Sequence, residues 1–300
     1  MTDMTDMTDA TGSTEAPSAT GATVPTGATV PTGATVPTGA TVPTGSPDRT
    51  DPTTPADPTP PTPTDTPPNT LHSRFTALTT AHLADACIRA RIPVRCTPTA
   101  LRALEPGTRL AGRVVPARHV GSVDVFLEAF EGADPGDVLV VDNAGRSDEA
   151  CVGDLVALEA RIAGLAGIVI WGLHRDTADL LAIGLPVFSL GALPTGPQRL
   201  DPRPEDALTS ATVGEWTVGR DDLVVADEDG ALFLPAAGIE ALLTLAETIR
   251  DTEHRQADRI RAGVSLRSQV GFDAYLAARR LTPSLTFRDH LRAVGGAIEE

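Results

Sequence analysis

Lysine is absent from all 300 residues, so the 24 basic side chains are arginines. Schiff-base aldolases, pyridoxal-phosphate enzymes and P-loop nucleotidases each need a lysine amine and are excluded. A carbonyl substrate handled by this chain therefore needs a metal ion as its electron sink. Cysteine is scarce: Cys87, Cys96 and Cys151 make an odd count without metal-ligand spacing. They read as small buried hydrophobes of a reduced compartment. No apolar run is long enough to cross a bilayer, and the first residues carry neither a basic start nor a hydrophobic segment, so no membrane is expected and the reading is cytoplasmic. The net charge is -16 and the arginines are scattered, so no nucleic acid is expected as a direct ligand.

What is present divides unevenly along the chain. Residues 1–69 contain MTDMTDMTDA, four GATVPT units from Gly21 to Thr44, and a Pro/Thr/Asp run up to Asn69. With no aromatic residue and frequent proline, this stretch cannot offset the entropy of ordering its backbone, and it reads as a disordered, partly polyproline-II tail. A six-residue period with Gly and Pro in every unit offers no continuous apolar face for a solenoid.

From Thr70 the pattern turns helical, with Leu71, Phe75, Leu78, Leu83, Ala86 and Cys87 at three- and four-residue steps before Pro93. Arg109 to Val115 reads as a strand, and Val123, Phe126, Leu127 and Phe130 share a helical face. Val138–Asp142 and Gly167–Trp171 are short apolar runs of the buried, parallel kind, separated by a helix from about Val152 to Ala163. This βαβ order predicts ligands beyond the carboxyl ends of the strands, where Asp142–Asn143, Gly153–Asp154 and Leu173–Asp176 would converge. Farther on lie a short helix at Leu180–Ile183, a strand at Pro186–Leu190, a hairpin turning at Glu228–Gly230, a long helix from about Ala236 to Ala262, and helices near Phe272–Arg280 and Phe287–Val294.

Arg175–Asp176 is the leading chemical candidate. An arginine beside a carboxylate at a strand end offers a planar anion clamp next to a hard metal ligand, although the same pair also suits a surface salt bridge. Asp154 suits both a first-turn carboxylate and a site residue, and its helix start offers free N–H groups to an anion. His174 suits a strand-end residue at least as well as a general base and is left out of the candidate catalytic residues. Asp229–Gly230 is explained by the turn. Neither Gly-x-Ser-x-Gly nor Gly-x-Gly-x-x-Gly occurs, which argues against a hydrolase elbow and a dinucleotide site.

The stretch PGDVLVVDNAGRSDEACVGDLVALEARIAGLAGIVIWGLHRD (Pro135 to Asp176), with GLPVF (Gly184 to Phe188) and VVADEDGALFLP (Val224 to Pro235), resembles the RraA-like family. That family includes 4-hydroxy-4-methyl-2-oxoglutarate aldolases, which also decarboxylate oxaloacetate, and protein regulators of ribonuclease E. The resemblance implies an α/β, swivelling β/β/α single domain over residues 70–263, followed by a C-terminal helical extension at 264–300. It also implies a homotrimer or hexamer with sites between subunits. By the resemblance Asp176 ligates Mg²⁺ (or Mn²⁺), and Asp154 holds metal-bound water. Arg175, with backbone N–H groups near Gly153 and Leu155, grips a small 2-oxo acid. A glutamate from a neighbouring subunit supports the metal, and Glu253 is the best match. The implied reaction is carbon–carbon cleavage through a pyruvate enolate, by retro-aldol reaction or decarboxylation. The alternative is an inactive regulator that binds a ribonuclease or another protein. Retention of Arg175, Asp176 and Asp154 together favours the enzyme. A methyltransferase is not supported, because no Gly-rich cofactor loop follows a first strand.

Overall fold

The computed structural model describes residues 70–294, with side chains from Ser73 onward. The proposed tail, residues 1–69, lies outside the described residues.

In chain order the elements begin with α1 (Thr70–Thr76), α2 (Thr80–Ala90), β1 (Arg95–Cys96), β2 (Arg102–Ala103), β3 (Leu110–Arg118) and α3 (Asp124–Glu131). Next come β4 (Val138–Asp142), β5 (Ala150–Val152), α4 (Asp154–Ile162), β6 (Gly167–Trp171), β7 (Leu173–His174), α5 (Thr177–Ile183) and β8 (Val187–Ser189). The chain continues through β9 (Ser210–Val213), β10 (Trp216–Gly219), β11 (Asp222–Asp227) and β12 (Gly230–Pro235). It ends with α6 (Ile239–Arg261), α7 (Leu266–Gln269), α8 (Phe272–Leu281) and α9 (Phe287–Val294).

Eight strands form one mixed sheet in the order β1-β12-β11-β3-β4-β6-β8-β2. Its middle is the expected parallel unit, with Val138–Asp142 in register against both Val114–Arg118 and Gly167–Trp171. Laid flat, eight strands at about 4.8 Å spacing would separate the outer two by about 34 Å. Yet β1 and β2 are joined only by residues 97–101, which can reach about 21 Å. The sheet therefore curls back on itself. Arg102 closes the gap by donating from Nη1 to the carbonyl of Asp229, 3.0 Å away in the turn before β12.

Strand alternation then sorts the core. Val114, Val138, Val140, Val169, Val224 and Phe233 point to the inside of the curl, where the β9–β10 hairpin packs with Ala211, Val213 and Val218. On the outer side, Val115, Leu139, Val141, Ile168 and Ile170 meet α3, α4 and α5. Leu223, Val225, Leu232 and Leu234 meet α2 and α6. Phe126, Phe188 and Phe233 are fully buried, one on the outer side and two within the curl. Truncating any of them to alanine is expected to cost about 3–5 kcal/mol.

Three expectations need correction. The single helix over Leu71–Cys87 is two helices, because Thr79 leaves helical geometry and caps α2: its Oγ1 accepts from the backbone N–H of His82, whose ring accepts from the Thr79 N–H. The helix expected from Val152 begins at Asp154, since Ala150–Val152 pairs with β7. Cys96 is exposed, because β1 lies at the sheet edge, whereas Cys87 and Cys151 are buried as expected.

Candidate active site

α4 starts where β5 ends, and α5 starts where β7 ends, so the parallel pairing of β5 with β7 brings two helix starts side by side. Gly153 precedes the first, and Arg175–Asp176 precedes the second. The Arg175 N–H donates to the carbonyl of Val152 at 2.9 Å, which fixes the register of this contact.

Asp176 sits at φ 57°, ψ 42°. This left-handed backbone is costly for a non-glycine residue, by about 1–2 kcal/mol, and such strain concentrates at functional sites. It turns the carboxylate back toward α4. Oδ2 accepts from the Asp154 N–H at 3.4 Å and lies 3.2 Å from Nε of Arg175. A Cβ on Gly153 would meet that Oδ2 at 2.4 Å and Nε of Arg175 at 3.1 Å, so only glycine leaves room. Farther out, the guanidinium of Arg175 lies against Gly196, where a Cβ would stand 2.8 Å from Nη1. Arg175 and Asp176 nevertheless keep about 47% and 34% of their side chains exposed. The pair is held in place and remains open to a ligand.

That ligand would enter a cleft of about 420 Å³ that Gly153, Asp154, Leu155, Arg175 and Pro197 share with the flanks of α3 and α4. The volume suits a small organic molecule. The N-cap residue of α4, Gly153, has no side chain to cap the helix, and Asp176 reaches only the first N–H, that of Asp154. The N–H groups of Leu155 and Val156, at the positive end of the helix dipole, suit a carboxylate.

Asp176 offers one hard carboxylate at this rim, to which Mg²⁺ or Mn²⁺ would be suited; no group of three or more His, Cys, Asp or Glu that could hold a metal occurs among the described residues. Mg²⁺ binds through one or two carboxylates, keeping waters and taking substrate oxygens for the rest. The Gly153 notch, which a Cβ would fill, supplies the space beside Oδ2.

Gly153, Asp154, Leu155, Arg175 and Asp176 thus come together at one rim. Glu253 lies on α6, where its carboxylate faces Nε2 of His82 at 3.2 Å, and α6 packs on the β11–β12 part of the sheet rather than on α4 or α5. Within one chain it is not brought to Asp176. His174 is tied between Ser189 (Nδ1 to Oγ, 2.7 Å) and Thr177 (Nε2 to Oγ1, 3.1 Å), and burial pushes its pKa down. Both ring nitrogens are thus engaged within the fold. Asp227 accepts from the N–H and Oγ1 of Thr80 and from the Asp229 N–H, which binds α2 to the hairpin.

The expected convergence of Asp142–Asn143 on the same point is not observed. Asp142 accepts from Ala144 and Thr212 N–H groups, and Asn143 belongs to a neighbouring buried network. There Arg199 donates from Nε and Nη2 to the buried carboxylate of Glu149 and from Nη2 to Oδ1 of Asn143. The same Oδ1 lies 2.9 Å from Nδ1 of His119, which stacks on Phe126. Because Oδ1 can only accept, Nδ1 of His119 carries the proton, and burial keeps the ring neutral by pushing its pKa down. Sequence reasoning missed this network. Glu149 adjoins Ala150, whose N–H donates to the carbonyl of Thr195 beside Gly196, so the network anchors the loop that backs Arg175.

Comparison with known proteins agrees with this architecture. The model of the RraA-like family (Aldolase/RraA) matches residues 80–233, and the chain belongs to that family. A putative 4-hydroxy-4-methyl-2-oxoglutarate aldolase of Deinococcus radiodurans is 31% identical over 157 residues, 52% of this chain and 94% of the relative. Another from Shewanella oneidensis is 36% identical over 104 residues, 35% of this chain, and the match spans 63% of that relative's length. Among solved structures, Streptomyces coelicolor RraAS2, titled an unusual member of the RNase ES inhibitor RraA protein family, is 26% identical with a TM-score of 0.54, covering 67% of this chain and 99% of that one. An uncharacterized protein from Pseudomonas syringae shares the fold, with a TM-score of 0.57 at 24% identity over 66% of this chain and 94% of that one.

Proposed function

We propose that the protein is a divalent-metal-dependent lyase that cleaves a carbon–carbon bond of a small 2-oxo acid. The observation that carries this reading is the Asp176 carboxylate turned into the Gly153 notch beside Arg175, at a helix start whose N-cap residue has no side chain.

A cation held by Asp176, with Asp154 beside it, would supply Lewis acidity toward the 2-oxo group. The rest falls to the chain. First-turn N–H groups of α4 orient the substrate carboxylate, and Arg175 stabilises the negative charge that develops on the 2-oxo oxygen as the bond breaks. In retro-aldol cleavage the bond between C3 and C4 breaks, its electron pair passes to the enolate, and the C4 hydroxyl becomes a carbonyl. We assign to Asp154 the task of accepting that hydroxyl proton, directly or through a water beside it. The enolate then takes a proton at C3. Decarboxylation uses the same enolate with CO₂ as the leaving group and needs no base for a hydroxyl.

The relatives' names give 4-hydroxy-4-methyl-2-oxoglutarate as the first substrate to test, and the family resemblance adds oxaloacetate. Purified full-length protein with 4-hydroxy-4-methyl-2-oxoglutarate or oxaloacetate is expected to form pyruvate with Mg²⁺ and not with EDTA. Metal-independent turnover would remove the metal from the reading. Absence of pyruvate with both acids would favour the second reading, a protein-binding regulator, to which the likeness to the Streptomyces protein points. Assembly into a homotrimer or hexamer, with Glu253 of one subunit reaching the site of the next, belongs to the same proposal. Light scattering of the wild type tests the assembly, and Glu253→Gln tests the residue.

A further inference from the structure

Among the described residues fourteen large apolar side chains are exposed, and eleven of them lie in two places. Scattered singly such side chains are ordinary, but grouped they mark a contact. Val123, Leu127, Leu155, Leu158 and Ile162 line the groove between α3 and α4. Val156, Ala157 and Ala160 already bury the inner face of α4, so its outer leucines and isoleucine call for a second apolar partner. The other six, Ile260, Val264, Leu266, Leu276, Leu281 and Val294, lie between the end of α6 and the end of α9.

That C-terminal module has a small core of its own. α6 has no buried residue after Ile249, so residues 250–261 form about 18 Å of helix beyond its last core side chain. Past it, α8 and α9 meet through Tyr275, Phe287 and His290, with ring centroids 5.0, 5.5 and 6.1 Å apart.

The two surfaces also differ in charge. Residues 255–294 carry eight arginines, all exposed, against Asp258, Asp273 and Asp289, a net of +5 on a chain whose total is -16. Of the eight, only Arg261 and Arg292 form ion pairs among the described residues. The α3 and α4 helices bear five carboxylates, Asp124, Glu128, Glu131, Asp154 and Glu159. Against these stand Arg161 and the neighbouring Arg203, leaving a net of -3. Surfaces that differ in this way do not pair with themselves about a two-fold axis, but they can meet head to tail between copies and close a ring.

We propose that the module of residues 255–294 docks on the α3–α4 groove of a second copy of this chain, apolar side chains against apolar side chains and arginines against carboxylates. The groove opens into the cleft at Arg175, so the docked module would cover the outer side of that cleft. This contact goes beyond the lyase reading and does not depend on it.

Light scattering of full-length variants tests the contact by complementation. Leu158→Glu with Ile162→Glu breaks the groove and keeps the module, whereas Leu276→Glu with Leu281→Glu breaks the module and keeps the groove. All four positions are exposed, so circular dichroism should match the wild type. Each double variant alone is expected to have a smaller mass than the wild type. An equal mixture is expected to form a pair, one of each, through the surviving contact, and raising salt from about 0.05 M to about 0.5 M should weaken that pair about tenfold. A monomeric wild type, no pair in the mixture, or a pair indifferent to salt overturns the proposal. Wild-type mass in either double variant assigns the assembly to other surfaces and overturns it as well. Pyruvate formation enters none of these readouts, so the lyase reading stands or falls by its own test.

Discussion

A methyl group on Gly153 would stand 2.4 Å from Oδ2 of Asp176. Gly153 has φ -130° and ψ -167°, extended backbone open to any residue. Its identity is set by the space the carboxylate needs, not by its dihedral angles. Gly153→Ala is therefore expected to move Asp176 by a fraction of an ångström to an ångström and to lower pyruvate formation by about 100-fold or more. The circular dichroism spectrum should be unchanged. Full activity in this variant would show that the contact has no part in catalysis.

Asp176 carries a second test, because its left-handed backbone favours glycine. Asp176→Gly relieves that strain while removing the carboxylate. Activity is expected to vanish, whereas stability holds or rises by up to about 1 kcal/mol. A drop of more than about 2 kcal/mol in urea unfolding would mark Asp176 as a structural residue instead. Asp176→Ala should likewise abolish activity and leave oligomer size unchanged.

The ion pair between Arg199 and Glu149 is the most buried charged contact near the site, with the Glu149 side chain 4% exposed. Glu149→Ala leaves Nε of Arg199 without its carboxylate, while Nη1 keeps Asp201 and Nη2 keeps Asn143. Its expected cost is about 1–3 kcal/mol. Glu149→Gln, which keeps an acceptor for Arg199, should cost clearly less. Equal losses in the two variants would mean that packing rather than charge holds the loop.

Stability should also depend on pH through two buried histidines. Burial lowers the pKa of both His119 and His174. The unfolded chain, with histidine near ~6.5, binds protons more readily than the native state. Their contribution is complete above that value and is lost as pH falls below it. Glu247, which Arg74 holds below the ordinary carboxylate range, titrates at lower pH and does not confuse the window between ~5 and 7. Urea midpoints are expected to fall from pH 7.5 to 5.5, and His119→Gln should flatten that dependence. An unchanged slope in the variant would assign the effect to other groups.

The parallel strands were legible because both of their faces are buried: Val138–Asp142 and Gly167–Trp171 are continuous apolar runs with no other role open to them. The break between α1 and α2 was not legible, since the apolar spacing runs across it and only the Thr79–His82 capping pair marks the stop. The three-residue strand Ala150–Val152 was hidden for a similar reason: its period cannot be told from the first turn of the helix that follows. At the site, Gly153–Asp154 and Arg175–Asp176 stood out by their place at strand ends and by family resemblance. The Glu149–Arg199–His119 network joins positions 30 to 80 residues apart through side chains that are ordinary surface types elsewhere in the sequence. Nothing local could announce it.

The glycine N-cap of α4 bears on what a ligand does to the fold. A carboxylate seated on the Leu155 and Val156 N–H groups does for this helix what a serine or aspartate N-cap does for others, completing what Asp176 does for the Asp154 N–H. Binding and completion of the helix are then one equilibrium. A bound 2-oxo acid should slow hydrogen exchange at Leu155 and Val156 and raise the melting temperature in step with its occupancy. A helix whose first-turn N–H groups were already satisfied by its own side chains would gain no such protection at Leu155 and Val156; on the lyase reading, part of the order of this helix start would come from the bound acid.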